Sequence, residues 1–178
     1  MFSGYQLIFW GIFFISFHIN LGSFQILPNF IGWVMIVSGI NKLGSVYQSD
    51  KFTKAAYLAL IAVFYSVMDL IVQLTNQSAG SYTPFMIFSI IFISLVELLA
   101  EYYILNGSAE YLYVINNVDI AEELIRQLRI YMIVYLVNTS LMCFSLTFVS
   151  NNIPFIFAFL YVGLRICFMV IMSRLKSY

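Results

Sequence analysis

Apolar residues run in long blocks along this chain, and polar residues fall mainly between them. Six blocks approach the ~20 residues with which a helix crosses about 30 Å of hydrocarbon. They cover about 5–21, 28–46, 55–74, 84–105, 130–149 and 154–173. Runs such as FMIFSIIFISLV are apolar on both alternate phases, which excludes the period-two strands of a membrane barrel. Helix is the expected form, because a span in lipid must satisfy its own backbone groups. All three prolines, Pro28, Pro84 and Pro154, stand at the start of an even-numbered block, where a missing N–H costs nothing. That preference explains them more simply than an ancient hairpin repeat does. The expected fold is all-α: a polytopic membrane protein with six transmembrane helices arranged as three helical hairpins, in a single domain of residues 1–178.

The one long polar stretch is 106–129, expected as a linker between the fourth and fifth spans. Asn106-Gly107-Ser108 reads as a stop for the fourth helix. Asp119 with Glu122 reads as a capping box that starts the fifth near Ile120, supported by a Glu122–Arg126 pair. Val118, Leu124, Ile125 and Leu128 give this extension an apolar side for the membrane surface or a protein partner, although a solvated linker helix is the plainer reading.

Composition sharpens the class. Hydrophobic residues make up 62% of the chain and charged residues 9%, with a mean hydropathy of +0.95. A soluble domain is about one quarter charged, so this chain has too little charge to cover a surface in water. Net charge is zero and there are two cysteines, which excludes disorder, nucleic-acid binding and a disulfide-built scaffold. Cys143 and Cys167 lie inside spans and read as apolar fillers.

Charge placement gives the orientation. Lys42, Lys51 and Lys54 sit around the second connection, Arg126 and Arg129 before the fifth span, and Arg174 and Lys176 after the sixth. The connections at 22–27, 75–83 and 150–153 carry no charge. The positive-inside rule then makes both termini cytoplasmic. The first span has neither a basic n-region nor an A-x-A-like site, so it is expected to be retained.

Four ionisable residues remain within spans, Asp69, Glu97, Glu101 and Arg165, with His18 near the outer end of the first. Such residues face the bundle interior and seek partners. At ~1.5 Å of rise per residue, Glu97 and Arg165 lie at nearly the same depth, and an ion pair between them is expected. Asp69 lies nearer the outside, and Glu101 near enough to the cytoplasmic headgroups to snorkel. Polar or small stripes share these faces: Ala55, Ala59, Ala62, Ser66, Asp69 and Gln73; Ser94, Glu97 and Glu101; Tyr131, Tyr135, Asn138, Met142 and Ser145; Ala158, Tyr161, Arg165, Met169 and Met172. Arg165, Glu97 and Asp69 are the candidate binding or strut residues, with Glu101, His18, Tyr135, Asn138 and Tyr161 as further lining. The pair serves equally well as a fixed strut between spans four and six. Gly11, Gly32 and Gly39 read as close-packing positions.

Enzymatic chemistry finds little support. A single histidine excludes H-E-x-x-H sites and histidine clusters, and there is no C-x-x-C, G-x-S-x-G or phosphate-cradling glycine loop. Asp69 has no second aspartate for an intramembrane dyad. No metal or cofactor is implied.

The stretch HINLGSFQILPNFIGWVMIVSGINKL, residues 18–43, carries Gly22, Leu27, Pro28, Asn29, Phe30, Ile31, Gly32, Gly39 and Leu43. It resembles the opening hairpin of small uncharacterised multi-spanning membrane proteins of Firmicutes, with Asn29 where those more often carry an acid. The resemblance implies a bacterial plasma-membrane protein and no particular activity. In length, span number and termini the chain is also similar to the substrate-binding subunits of energy-coupling-factor vitamin transporters, but it lacks their Ala-x-x-x-Ala face in the first span.

The expected function is a non-enzymatic membrane protein that binds or moves a small solute through its polar interior. The competing expectation is a structural, regulatory or immunity-type subunit that meets a partner through 106–129. A water-accessible cavity reaching Arg165–Glu97 separates the two.

Overall fold

A computed structural model describes residues 2–17, 20–21, 24–25, 29–75, 84–148 and 153–176. Among them are six helices: α1 (Phe2–Ser16), α2 (Asn29–Val46), α3 (Asp50–Thr75), α4 (Pro84–Val114), α5 (Val118–Phe148) and α6 (Ile153–Leu175). Four contain segments long and apolar enough to cross a membrane: Asp50–Val72, Phe88–Val114, Val118–Ser145 and Ile156–Leu175. Phe64 and Phe159 are 73% and 78% exposed on their outer faces. Large apolar side chains displayed on this scale suit lipid and not water.

The first expected span, 5–21, is shortened. Helix α1 ends at Ser16, and Asn20–Leu21 (β1) instead pairs antiparallel with Phe24–Gln25 (β2), Asn20 opposite Gln25 and Leu21 opposite Phe24. Polar Asn20 and Gln25, bracketing a Gly-Ser dipeptide, favour a hairpin over another helical turn. Pro84 opens α4 and Pro154 is the second residue of α6, both in a first turn as expected; Pro28 and His18 lie outside the described residues.

The stretch 106–129 is likewise corrected. Helix α4 passes through Asn106-Gly107-Ser108 and ends at Val114. Ser108 Oγ donates to Ile104 O (2.7 Å), and Asn106 donates to Tyr102 Oη (3.1 Å) while accepting from Lys51 Nζ (2.9 Å). A Cβ on Gly107 would meet the Phe52 ring at 3.1 Å. These contacts outweigh the stop signal. The true stop is Asn116, left-handed at φ 63°, with Asn117 N–H bonded to Leu112 O and Asn116 N–H to Tyr113 O. That pattern is a Schellman motif. Helix α5 then starts at Val118 with Ala121 N–H on Asn117 O, so Asp119 lies inside the first turn and forms no capping box.

Each helix packs chiefly on its neighbours in the chain, and α6 closes against α1, giving a ring of six. Cross-contacts show successive helices antiparallel. Gly4 meets Gly39 while Gly11 meets Gly32, Lys51 meets Glu110, Tyr131 meets Glu101, and Tyr135 meets Tyr161. Both ends of the described chain therefore lie at one end of the ring, here the terminal end, and Ser16, Asn29, Thr75, Pro84, Phe148 and Ile153, where the helices end or begin, lie at the far end.

Glycine fixes the α1–α2 seam. A Cβ on Gly11 would lie 2.6 Å from Gly32 O, and one on Gly32 would lie 2.6 Å from Gly11 O. Seven residues along each helix, a Cβ on Gly39 would lie 2.7 Å from Gly4 O. Two reciprocal glycine contacts thus bring the backbones together, framed by buried Ile8, Ile12, Ile15, Ile36 and Ile40. At the terminal end Ser49 caps α3, with its Oγ 3.3 Å from Lys51 N. Glu110 there accepts from Ser49 Oγ (2.9 Å) and pairs with Lys51 Nζ (2.6 Å).

Candidate functional site

The polar stripes converge inside the ring. Ala55, Ala59 and Ala62 are fully buried, so α3 approaches its neighbours closely and presents Ser66 and Asp69 further along the same face. Tyr131, Tyr135, Asn138 and Ser145 are buried on α5, and Met169 and Met172 on α6.

Arg165 and Glu97 meet between α6 and α4. Arg165 Nε donates to Glu97 Oε1 at 2.8 Å and Nη2 to Oε2 at 2.7 Å, a bidentate pair whose side chains are 11% and 6% exposed. Nη1 reaches across to Ile15 O on α1 (3.3 Å). One turn before Arg165, the Tyr161 hydroxyl donates to Glu97 Oε2 (2.5 Å), and its ring lies 4.6 Å from the guanidinium carbon. Tyr135 Oη lies 2.8 Å from Tyr161 Oη and 3.2 Å from Ser94 O, with one proton to give between them. Glu97 is therefore held by three donors from α6, with a tyrosine of α5 behind them.

Glu101 does not snorkel. It is 4% exposed, one turn from Glu97 toward the terminal end, and accepts from Tyr131 Oη at 2.7 Å. Its other oxygen has no hydrogen-bond partner among the described residues. It borders a gap of only about 10 Å³ shared with Glu97, Arg165, Ala100 and Phe168, so the terminal-end side of the ion pair is closely packed.

The opposite side is open. A cavity of about 210 Å³ runs from the ion pair toward the far end, and all six helices line it. Ile15 comes from α1, Asn29 and Trp33 from α2, Tyr65, Ser66 and Asp69 from α3, and Ile90, Ile93, Ser94 and Glu97 from α4. Thr139 and Met142 come from α5, and Tyr161 and Arg165 from α6. Two buried oxygens on its walls, Asn29 Oδ1 and Thr139 Oγ1, have no partner among the described residues.

Of the residues singled out from sequence, Arg165, Glu97, Asp69 and Tyr161 come together on this cavity. Tyr135 supports it from behind. Asn138 is turned away to donate to Phe157 O (3.2 Å), and Glu101 lies beneath. Asn29, Trp33, Tyr65 and Thr139 were not singled out as lining. For Thr139, its place beside Asn138 on a polar stripe was the available signal. Among the described residues no group of three or more His, Cys, Asp or Glu is placed to hold a metal ion.

The fold and this interior define a membrane-embedded helical bundle with a charged centre. No protein-family model, curated protein or solved structure matches the chain.

Proposed function

We propose that the chain is a non-enzymatic, six-span protein of a bacterial plasma membrane that binds or moves a small solute through this cavity. The observation that carries the reading is the cavity of about 210 Å³ that all six helices line and that ends on the Arg165–Glu97 pair. A strut would be served as well by close packing on both sides, as on the Glu101 side. In this reading both termini are cytoplasmic and the cavity opens outward. All seven basic residues other than Arg165 belong to the terminal end, where the positive-inside rule puts the cytoplasm. Helices α1 and α2 cross as one glycine-joined hairpin beside the four longer helices.

Labelling tests both points. Thr139→Cys is made in a chain carrying Cys143→Ala and Cys167→Ala, and intact cells are treated with a membrane-impermeant maleimide. Labelling from outside, together with protection of a cysteine at Lys54, is the expected result. A Thr139→Cys chain that reacts only after denaturation, or only from the cytoplasmic side, overturns the reading.

One observation favours the competing class. Helices α4 and α5, 31 residues each, are about 46 Å long and outreach the hydrocarbon. Their joined tip exposes Tyr113, Val114 and Val118. A regulatory subunit would use that tip on a protein partner, and association lost on Val114→Lys with Val118→Lys would mark it.

A further inference from the structure

A second hollow, a groove of about 640 Å³, runs between α2 and α3 from the terminal end and shares no lining residue with the central cavity. We infer that it holds a phosphatidylethanolamine molecule of the adjoining membrane leaflet. The groove exists because its floor lacks bulk. A Cβ on Gly44 would meet only Phe52 Cβ, at 3.8 Å, Ala56 adds a single methyl, and the buried Phe52 ring is turned away against Gly107 of α4. It opens sideways where a bilayer would lie, since Tyr57 and Leu60 on its wall are both exposed.

Polarity changes with depth along this groove as it does along a lipid. Asp50 opens α3, and Leu60 lies ten residues further on, ~15 Å along the helix. That is about half of the ~30 Å of hydrocarbon, the reach of one leaflet. Gln48 and Asp50 stand at the mouth, Asn41 and Thr53 about one turn further in, and Ile40, Ala56 and Leu60 line the rest. Asn41 and Thr53 are exposed, and neither side chain has a hydrogen-bond partner among the described residues. A polar group facing lipid without a partner is costly. The ester carbonyls of a seated lipid accept from both at that depth, and its acyl chain covers the apolar part below.

The mouth selects the headgroup. Asp50 is the charged residue on the groove wall, and no ion pair engages it among the described residues. The lysines that follow it are turned to α4: Lys51 to Glu110 and Asn106, and Lys54 to the Tyr103 ring. A carboxylate beside the Gln48 amide oxygen suits an ammonium group that brings its own N–H donors. Phosphatidylethanolamine supplies such a group. Phosphatidylcholine carries the charge without an N–H, and phosphatidylglycerol would set its net negative charge against Asp50.

Native mass spectrometry of the purified chain, titrated with palmitoyl-oleoyl phosphatidylethanolamine, phosphatidylcholine or phosphatidylglycerol, decides the matter. The ethanolamine lipid is expected to bind at least threefold tighter than the choline lipid, with the glycerol lipid weakest. Asp50→Asn is expected to bring the ethanolamine lipid down to the level of the choline lipid, whose own binding stays within twofold. Gly44→Leu puts a side chain into the open floor and should weaken the ethanolamine and choline lipids at least threefold. Its melting temperature should hold or rise, because leucine is the better helix former. Equal binding of the ethanolamine and choline lipids, tightest binding of the glycerol lipid, or unchanged ethanolamine-lipid binding in Gly44→Leu overturns the inference. If Asp50→Asn does not fold, the three-lipid comparison on the unaltered chain and Gly44→Leu decide together. The result is independent of whether the central cavity admits a solute, which the Thr139→Cys labelling reads.

Discussion

Replacing Gly11 by alanine should destabilise the protein, although alanine is the better helix former. The helix gain is about 1 kcal/mol. Against it, the new Cβ would sit 2.6 Å from Gly32 O and 2.6 Å from Ile36 Cγ1, where ordinary contact begins at 3.4 Å. The carbonyl belongs to the backbone of α2 and cannot rotate away, so the helices must part by roughly 0.8 Å. A gap of that size forfeits a quarter to a half of each dispersion contact along the seam. Overpacking of this kind costs about 1–3 kcal/mol, and an obstructing carbonyl puts Gly11 in the upper part of that range. A net loss of about 1–2 kcal/mol is expected. Gly163 is the control: a Cβ there meets nothing within 4 Å, so Gly163→Ala should hold or raise stability. Because Gly11 and Gly32 obstruct one another, a single separation relieves both, and the double alanine variant should lose clearly less than the sum of the singles. The assay is reversible unfolding in mixed micelles. Gly11→Ala as stable as Gly163→Ala, or strict additivity of Gly11→Ala and Gly32→Ala, would refute the argument.

Other outcomes follow from single contacts. Arg165→Met or Glu97→Gln alone removes one partner of a buried pair and should cost about 3–5 kcal/mol; the double variant should recover much of this, and a cycle with no coupling energy would deny the direct pair. Asn116→Val puts a β-branched residue at φ 63° and should cost about 1 kcal/mol or more, whereas Asn116→Gly should hold or raise the melting temperature. Lys51→Ala breaks a partly exposed bridge and should cost at most about 1 kcal/mol, with a smaller effect at high salt; a larger, salt-independent loss would contradict that.

The interior was legible from sequence where lipid made the cost of error large. A charge in hydrocarbon needs a partner, and equal depth identified Glu97 for Arg165 before any contact was known. Helical spacing placed Tyr161 on the same face. Small polar residues carry no such penalty: Thr139 and Asn29 look like many other interior positions, and their place on the cavity depends on how six helices meet. Local signals also lost to tertiary ones. Asn106-Gly107-Ser108 reads as a stop until Lys51, Tyr102 and Phe52 supply contacts that continue the helix. Gly4 was passed over because its importance lies in Gly39, on another helix.

The ring has one place where no peptide connects neighbours. Helices α1 to α6 are joined in sequence by short segments, but α6 and α1 hold together through side-chain and backbone contact alone. Arg165 straddles this split, with one hand on Glu97 of α4 and the other on Ile15 O of α1. It works as a clasp, and it lies on the wall of the cavity. A solute that loosens the grip of Arg165 on either partner thereby weakens the closure, and by reciprocity a parted closure changes the affinity for the solute. In the proposed solute-binding function, occupancy of the interior and opening of the ring at its unjoined edge are thus tied to the same few hydrogen bonds.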